Sequence, residues 1–564
     1  MKLKYILPAA MIACATLFTS CLKDLEVENI NPQEVSDFNE DYIFNKIYGN
    51  LVLTGQTGPN GDSDLDTDDE GMSNMIRLIW YFNVLTTDEA HCWWNDPGMP
   101  ELNRNTWTNS NAFVTSLYYR LMFGVTICNF YLENANNDDA ATKQKRAEAR
   151  FMRALHYYYL MDMYGNPPFL TKLSSENAPQ IQRADLFNFL ESELKDVIGE
   201  GSSDEILADA KTVDYGRADK AAGYLLLARM YLNAEVYTGT ARWEDAKTYA
   251  EKAINTNYKL CTTGMNGFSA YQLLFMGDND TNGAQDEIIL PALHDGEKTQ
   301  TWGGTLYMIA SNTNEAMLAE DLYGVTDSKG NPILGYGTSE KWDVGVRARS
   351  NFSKVFFGTK TNDNAITKGA PKDVTPSVGD DRAIFYTQGQ KLVIEEEDKK
   401  GQGLIYMKYN NLHADGTPGH HAGGQFVDTD FPVLRLAEAY LISAEADARI
   451  NGGNCSSEGI ERIKALRARA NVKTGNLYDG KSADALSAVS LEDIFKEWSR
   501  EFGYEAMRRP VLIRWNRYAG QSDYVWEWMG GTKAGSPIDK RFNLFPIPAD
   551  DLNANSNLKP TEGY

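Results

Sequence analysis

Residues 143–168 read KQKRAEARFMRALHYYYLMDMYGNPP, and this stretch decides the fold class. Ala147, Phe151, Ala154, Tyr158 and Met161 recur at three- and four-residue steps, so one face of a helix over about 143–164 is apolar or small and needs a partner. Gly165-Asn166-Pro167-Pro168 ends it, because glycine adopts backbone angles outside the helix and proline cannot continue one. Leu186, Phe189, Leu190, Glu193, Leu194 and Val197 follow on a second helix, which makes a helical hairpin.

Working outward, residues 217–258 repeat the pattern more strongly. Ala222, Leu226, Ala228, Tyr231 and Leu232 precede Trp243, Ala246, Tyr249, Ala250, Ala253 and Ile254, and small residues set against large ones let two helices interlock. The spacing is that of a tetratricopeptide-like unit of about 34 residues, which needs stacked neighbours to bury its face. Weaker pairs are 42–53 with 75–85, and 434–450 with 460–470. The expectation is a mostly α protein, a superhelical scaffold of helical pairs carrying a large, irregular, loop-rich insertion. Residues 261–430 supply that insertion: Gly, Asn, Asp and Thr are frequent, helical periodicity is poor, and 287–290 and 404–409 read as short strands or irregular segments. Recognition surfaces usually sit on such loops, held by the scaffold. The predicted layout is 1–20 signal, 21–36 tether, 37–260 N-terminal helical region, 261–430 recognition region and 431–564 C-terminal helical region.

The chain has 564 residues, 42% of them hydrophobic and 24% charged, with a net charge of −23. A surface this acidic repels polyanions, which excludes a general nucleic-acid binder. No apolar run of about 18 residues follows the first twenty, so no later segment reads as a bilayer span. Lys2 and Lys4 precede an apolar stretch over 5–18, the order of a secretory signal. Thr19-Ser20-Cys21 then resembles a bacterial lipoprotein cleavage site, with Phe18 where leucine is usual, so Cys21 is the expected lipidated residue. Lys23-Asp24-Leu25-Glu26 resembles an export signal toward the outer face of the outer membrane; the plainer reading is a solvated charged tether. Cys92, Cys128, Cys261 and Cys455 lack any CxxC spacing and read as buried free thiols, with one or two disulfides as the alternative.

The motifs of catalysis are missing. There is no HExxH, no GxSxG, no P-loop and no glycine fingerprint opening a helix, and Gly401-Gln402-Gly403 is a turn. A glycosidase's carboxylate pair leaves no local spacing, so this class is not excluded by motif. His420-His421, with His413 nearby, makes a poor chelate. Asp62, Asp64, Asp66, Asp68, Asp69 and Glu70 alternate as in a calcium loop, yet Thr67 stands where an EF-hand needs glycine and no glutamate occupies the twelfth position, so a solvated acidic loop is the better reading. No cofactor is expected, calcium being the one candidate.

The aromatic residues are more informative. Trp93-Trp94-Asn95-Asp96 and Trp302-Gly303-Gly304 leading to Tyr307 are surrounded by polar and turn residues, with Trp342 in the same irregular half. A flat indole matches the C–H face of a pyranose while Asn and Asp bond its hydroxyls; core packing is the competing reading. Trp93, Trp94, Trp302 and Tyr307 are the candidate stacking residues, with Asn95 and Asp96 as hydroxyl partners.

Three signatures lie in order along the chain. They are AEARFMRALHYYYL at 147–160 with YGNPP at 164–168, DFPVLRLAEAYL at 430–441 with AEA at 444–446, and LFPIP at 544–548 followed by LNAN at 552–555, Leu558 and Gly563-Tyr564. Together they resemble the SusD/RagB family of nutrient-binding lipoproteins. Ala506, Val511 and Ser556 depart from it, where Gly, Asp and Pro are usual, and Glu497, Glu501, Glu505 and Arg508 are expected on one helix face. The resemblance implies a tetratricopeptide-like fold, a cell-surface place on a lipid anchor, glycan capture, and partnership with a TonB-dependent outer-membrane transporter that the protein caps. Alternatives are an oligopeptide-binding lid, a purely structural docking partner, and, further off, a glycoside hydrolase.

Overall fold

The computed structural model describes residues 38–60, 63–66, 71–358, 363–417, 419, 424–475, 478, 480–520 and 522–564. The tether, Cys21 and the signal segment lie outside the described residues. Two units are distinguished, 1–43 and 44–564. Among the described residues the first holds 38–43, with the opening of helix α1 (Glu40–Gly49), and the second holds the rest.

The expected hairpin is present as the helices Ala140–Tyr164 and Arg183–Val197, and a further helix, Ala112–Asn134, packs against the first of them. Helix α2 (Ala112–Asn134) begins where the Asn111 side chain accepts hydrogen bonds from the Phe113 and Val114 N–H groups, and α3 (Ala140–Tyr164) where Asp139 does the same for Thr142. The two lie close because Gly124 faces His156: a Cβ at Gly124 would stand 2.2 Å from the imidazole. Glycine at φ +78° ends α3 at Gly165. The sequence predicts one buried face, but every residue from Phe151 to Tyr164 is buried. The reason is tertiary, since the C-terminal signature closes over this end: Phe545 N–H donates to Met163 O and its ring packs on Tyr164.

Helices α4 (Arg183–Val197), α5 (Lys220–Leu232) and α6 (Trp243–Ile254) continue the stack. The small face of α6, Ala246, Ala250 and Ala253, is fully buried. Helix α6 packs on α7 (Leu436–Ile450) from the C-terminal region, and α7 pairs with α8 (Ser457–Arg469). Lys247 to Asp447 and Arg462 to Glu251 tie the pairs across their surfaces.

Two two-stranded antiparallel ladders stitch the irregular region to the rest of the chain, β1 (Ala90–Cys92) with β3 (Val346–Ala348) and β2 (Ile288–Ala292) with β6 (Phe431–Arg435), and a third, β4 (Phe385–Tyr386) with β5 (Ile405–Tyr406), lies within that region. Below them runs a buried ionic network. Arg435 binds Glu287, Glu501 and Glu505; Arg469 binds Glu287 and Glu501; Arg382 binds Asp380, Glu497 and Glu501. Burial alone would raise the Glu501 carboxyl, but Arg469, Arg435 and Arg382 more than offset it and hold its pKa at about 2.

One sequence expectation fails here. Glu497 and Glu501 lie on helix α9 (Leu491–Phe502), but the chain breaks at Gly503 and restarts as α10 (Arg508–Arg514), so Glu505 and Arg508 are on no common helix with them. Tyr504 and Ala506 take left-handed φ of +64° and +61° to make the turn, which explains why glycine is usual where Ala506 stands. The break sends Arg508 to Asp88, 2.7 Å away, instead of to its helix neighbours. Cys92, Cys128, Cys261 and Cys455 are all free thiols.

Candidate functional site

The β1 and β3 ladder builds the site. Ala90, His91 and Cys92 pair with Ala348, Arg347 and Val346, and Trp93 N–H extends the ladder to Gly345 O at 2.9 Å. The strand on one side therefore runs out into Trp93-Trp94 and the strand on the other leads in from Trp342. Trp93 Nε1 donates to Val344 O at 3.0 Å, and the Lys400 ammonium lies 5.1 Å from the Trp93 ring centre. Gly345 is needed here, because a Cβ would stand 2.2 Å from the Trp94 ring.

Trp94 and Trp342 are both half-buried, with centroids 6.2 Å apart and planes inclined by 53°. They form a bent aromatic platform. Trp342 is fixed through Nε1 to Glu340 Oε2 at 2.9 Å. Behind them sits Tyr307, 6.0 Å from each indole centre. The sequence assigns Tyr307 to stacking, and the structure corrects this: it is 0% exposed, on a helix (Gly304–Ala310) buried all round, against Trp80 and Tyr81 as well. Its role is to back the platform.

Arg77 is a residue the sequence did not mark. It lies within the buried run Met75–Trp80, yet its guanidinium sits over the Tyr307 and Tyr81 rings at 4.9 and 5.3 Å, with Nε donating to the Tyr81 hydroxyl at 2.8 Å. Trp302 joins this edge: Gly71 abuts both the Arg77 guanidinium and Trp302, the Trp302 ring packs 4.9 Å from Phe426, and its Nε1 donates to Asn60 Oδ1 at 2.7 Å. Asn95 and Asp96 are exposed beside Trp94.

A cleft of about 350 Å³ adjoins the platform, lined by Trp93, Trp94, Asn95, Asn103, Arg104 and Glu397. Arg104 grips Glu397 with two nitrogens, Nη2 to Oε2 at 2.6 Å. Asn103 is locked by the Cys92 backbone, donating to its carbonyl at 2.6 Å and accepting from its N–H at 3.0 Å. His91 lies at the floor, its imidazole held well below the usual histidine pKa by burial and then by Arg349, Arg347 and Arg104.

The other candidates fall elsewhere. His413 lines a separate depression of about 430 Å³ with Asp278, Asp280 and Asp415, and His420-His421 lie outside the described residues. Of the alternating acidic run, Asp62, Thr67, Asp68, Asp69 and Glu70 also lie outside them, while Asp64 is ion-paired to Lys46 and Arg120. Among the described residues no three His, Cys, Asp or Glu side chains converge to hold a metal ion. No helix among them is long and apolar enough to cross a membrane.

Fold and site together define a helical-pair protein with a bent aromatic platform built half from the irregular region, through Trp342, and half from the N-terminal part, through Trp94, where the predicted layout placed the recognition region at 261–430 alone. The chain belongs to the SusD family: residues 271–564 match that family, and residues 24–232 match one described as starch-binding and associating with the outer membrane. The starch-binding protein SusD of Bacteroides thetaiotaomicron is 35% identical over 598 aligned residues, covering the whole of both chains. Among solved structures, a SusD-like protein of Bacteroides fragilis superposes with a TM-score of 0.62 at 18% identity, over 93% of this chain and 96% of its own. A surface glycan-binding protein A of Bacteroides thetaiotaomicron, in complex with laminarihexaose, does so at 0.61 and 15%, over 93% and 98%. At these identities the structural likeness establishes the fold.

Proposed function

We propose that this protein binds glycan at the cell surface, anchored through a lipid on Cys21 to the outer face of the outer membrane, and hands it uncut to a TonB-dependent transporter that it caps. The observation that carries the reading is the Trp94 and Trp342 pair, two half-buried indoles inclined by 53° and backed by the buried Tyr307. Stacking on C–H faces holds a sugar without chemistry, and a polar rim of Asn95 and Asp96 meets the hydroxyls. A bent surface suits a chain that curves, as an α-linked glucan does, better than a flat ribbon. A full-length relative named for starch binding supports the same class.

The test is calorimetry on the soluble form beginning after Cys21, titrated with starch-type α-glucan, laminarin-type β-glucan and a peptide pool. The expected result is α-glucan binding that disappears in the Trp94→Ala, Trp342→Ala double variant, with no new reducing ends formed. Unchanged retention by that variant, preference for peptide, or cleavage of the glycan would each refute it.

A further inference from the structure

The cleft beside the platform has an unusual floor. His91, Cys92 and Asn103 are each 1% exposed, so the concavity ends on buried residues. Neither ring nitrogen of His91 makes a hydrogen bond of good geometry, Glu397 being the residue that faces it. Buried polar atoms are nearly always partnered, and one that is not calls for a reason. Glu397 Oε1 stands 4.0 Å from His91 Nε2, beyond hydrogen-bond reach, but one oxygen about 2.8 Å from both would bridge them. The imidazole is neutral, so it offers one donor and one acceptor, the complement of a hydroxyl group. The volume, about 350 Å³, holds about a dozen water-sized groups, the scale of one hexose and not of an oligosaccharide. Trp94 belongs to both surfaces, so a ligand on the platform already touches the cleft wall.

We infer that the cleft is a terminal-sugar subsite: one neutral pyranose unit leaves the platform, enters between Trp93 and the Arg104 and Glu397 pair, and sets a hydroxyl between His91 and Glu397. A cleft closed at its floor takes a unit that points into it, which is either the end of a glycan chain or a one-residue branch. The inference rests on the platform being a glycan site. It goes beyond that reading by assigning a preference for ends over the unbroken backbone.

Three probes of one linkage separate the cases: a linear α-1,4-glucan, a cyclic one, which has no end, and the same ring carrying a single glucosyl branch. Each is titrated into the wild type and into Asp398→Trp, whose new indole fills the cleft mouth from a side chain that is 73% exposed. The expected result is that the branched ring, the linear chain or both bind wild type about tenfold tighter than the plain ring, the value of one or two hydrogen bonds. Asp398→Trp abolishes that advantage and leaves the plain ring's affinity unchanged. An advantage confined to the branched ring assigns the subsite to branches; one shared by the linear chain assigns it to chain ends. No advantage in wild type, or one that survives in Asp398→Trp, overturns the subsite while the platform stands. Failure of all three probes to bind wild type removes the platform and the subsite together.

Discussion

The Trp94 and Trp342 rings lie 6.2 Å apart at the end of the β1 and β3 ladder, where the Trp342 N–H also donates to Ala310 O at 2.8 Å, so ladder and helix end together fix the geometry of the face. The Trp342 ring is oriented by its Nε1 bond to Glu340. Trp342→Ala should weaken α-glucan binding by about 2 kcal/mol, roughly thirtyfold, as expected for an aromatic anchor. The melting temperature should move little, because the ring is half-buried at the rim. Isothermal titration beside a thermal melt checks both, and an equal loss of stability would make Trp342 a core residue instead.

Gly345 offers a subtler test of the same relationship. A methyl group there would meet the Trp94 ring at 2.2 Å, and the neighbouring Trp93 N–H to Gly345 O bond resists backbone movement. Gly345→Ala should therefore tilt the indole out of the platform and cost binding about as much as Trp94→Ala. Indole fluorescence should shift in the same variant; normal glycan affinity would mean the ring is not held by this contact.

Much of the frame was readable in the sequence because helices advertise themselves locally. The helix over about 143–164, its glycine stop and the small face of α6 all follow from spacing within one segment. The Trp93-Trp94 pair was readable too, since polar neighbours set it apart from a core run. Arg77 was not, because it stands inside an apolar stretch and its neighbours Tyr81 and Tyr307 are brought to it by tertiary packing. Tyr307 misled for the converse reason: glycines before it suggest a loop, whereas a short helix carries it into the interior. The turn at 503–507 was missed because a charged i, i+4 pattern continued in the sequence after the backbone had left the helix.

That turn gives a prediction about stability. Ala506 sits at φ +61°, a region that costs a residue with a Cβ about 1–2 kcal/mol and a glycine almost nothing. Ala506→Gly should stabilise the protein by about 1 kcal/mol, the larger flexibility of the unfolded chain taking back part of the gain. Urea unfolding would show it as a higher midpoint at unchanged slope. A lower midpoint would mean that the Ala506 methyl, 6% exposed, packs well enough to outweigh the strain.

Arg435 is the hub between β6 and α9, fully buried and bonded to three glutamates. Arg435→Met keeps an unbranched apolar stem, removes the guanidinium and its charge, and leaves Glu287, Glu501 and Glu505 short of a cation. Breaking a buried pair from one side costs about 3–5 kcal/mol, far more than the pair's net value. Denaturant unfolding should register that loss, and a change under 1 kcal/mol would show the remaining arginines to be sufficient.

Glu89 ties stability to pH just before the strand that carries the site. It is 1% exposed and accepts the Tyr504 N–H at 3.1 Å. Burial raises its carboxyl to a pKa of about 8; Arg508 pulls it down, and the adjacent Asp88 pushes it up. Folding thus favours the protonated acid. The resulting stability is fully present below the unfolded value near 4.5 and is lost as pH rises toward and through about 8. Glu89→Gln replaces the acid by a neutral group of the same shape, so the variant should lack this slope. Between pH 5 and 8 the wild type should lose stability relative to the variant by up to about 1.4 kcal/mol per pH unit. Urea midpoints at pH 5, 7 and 9 measure it directly. Parallel curves would show that Glu89 is ionised in the folded protein, with Arg508 neutralising it in place of a proton.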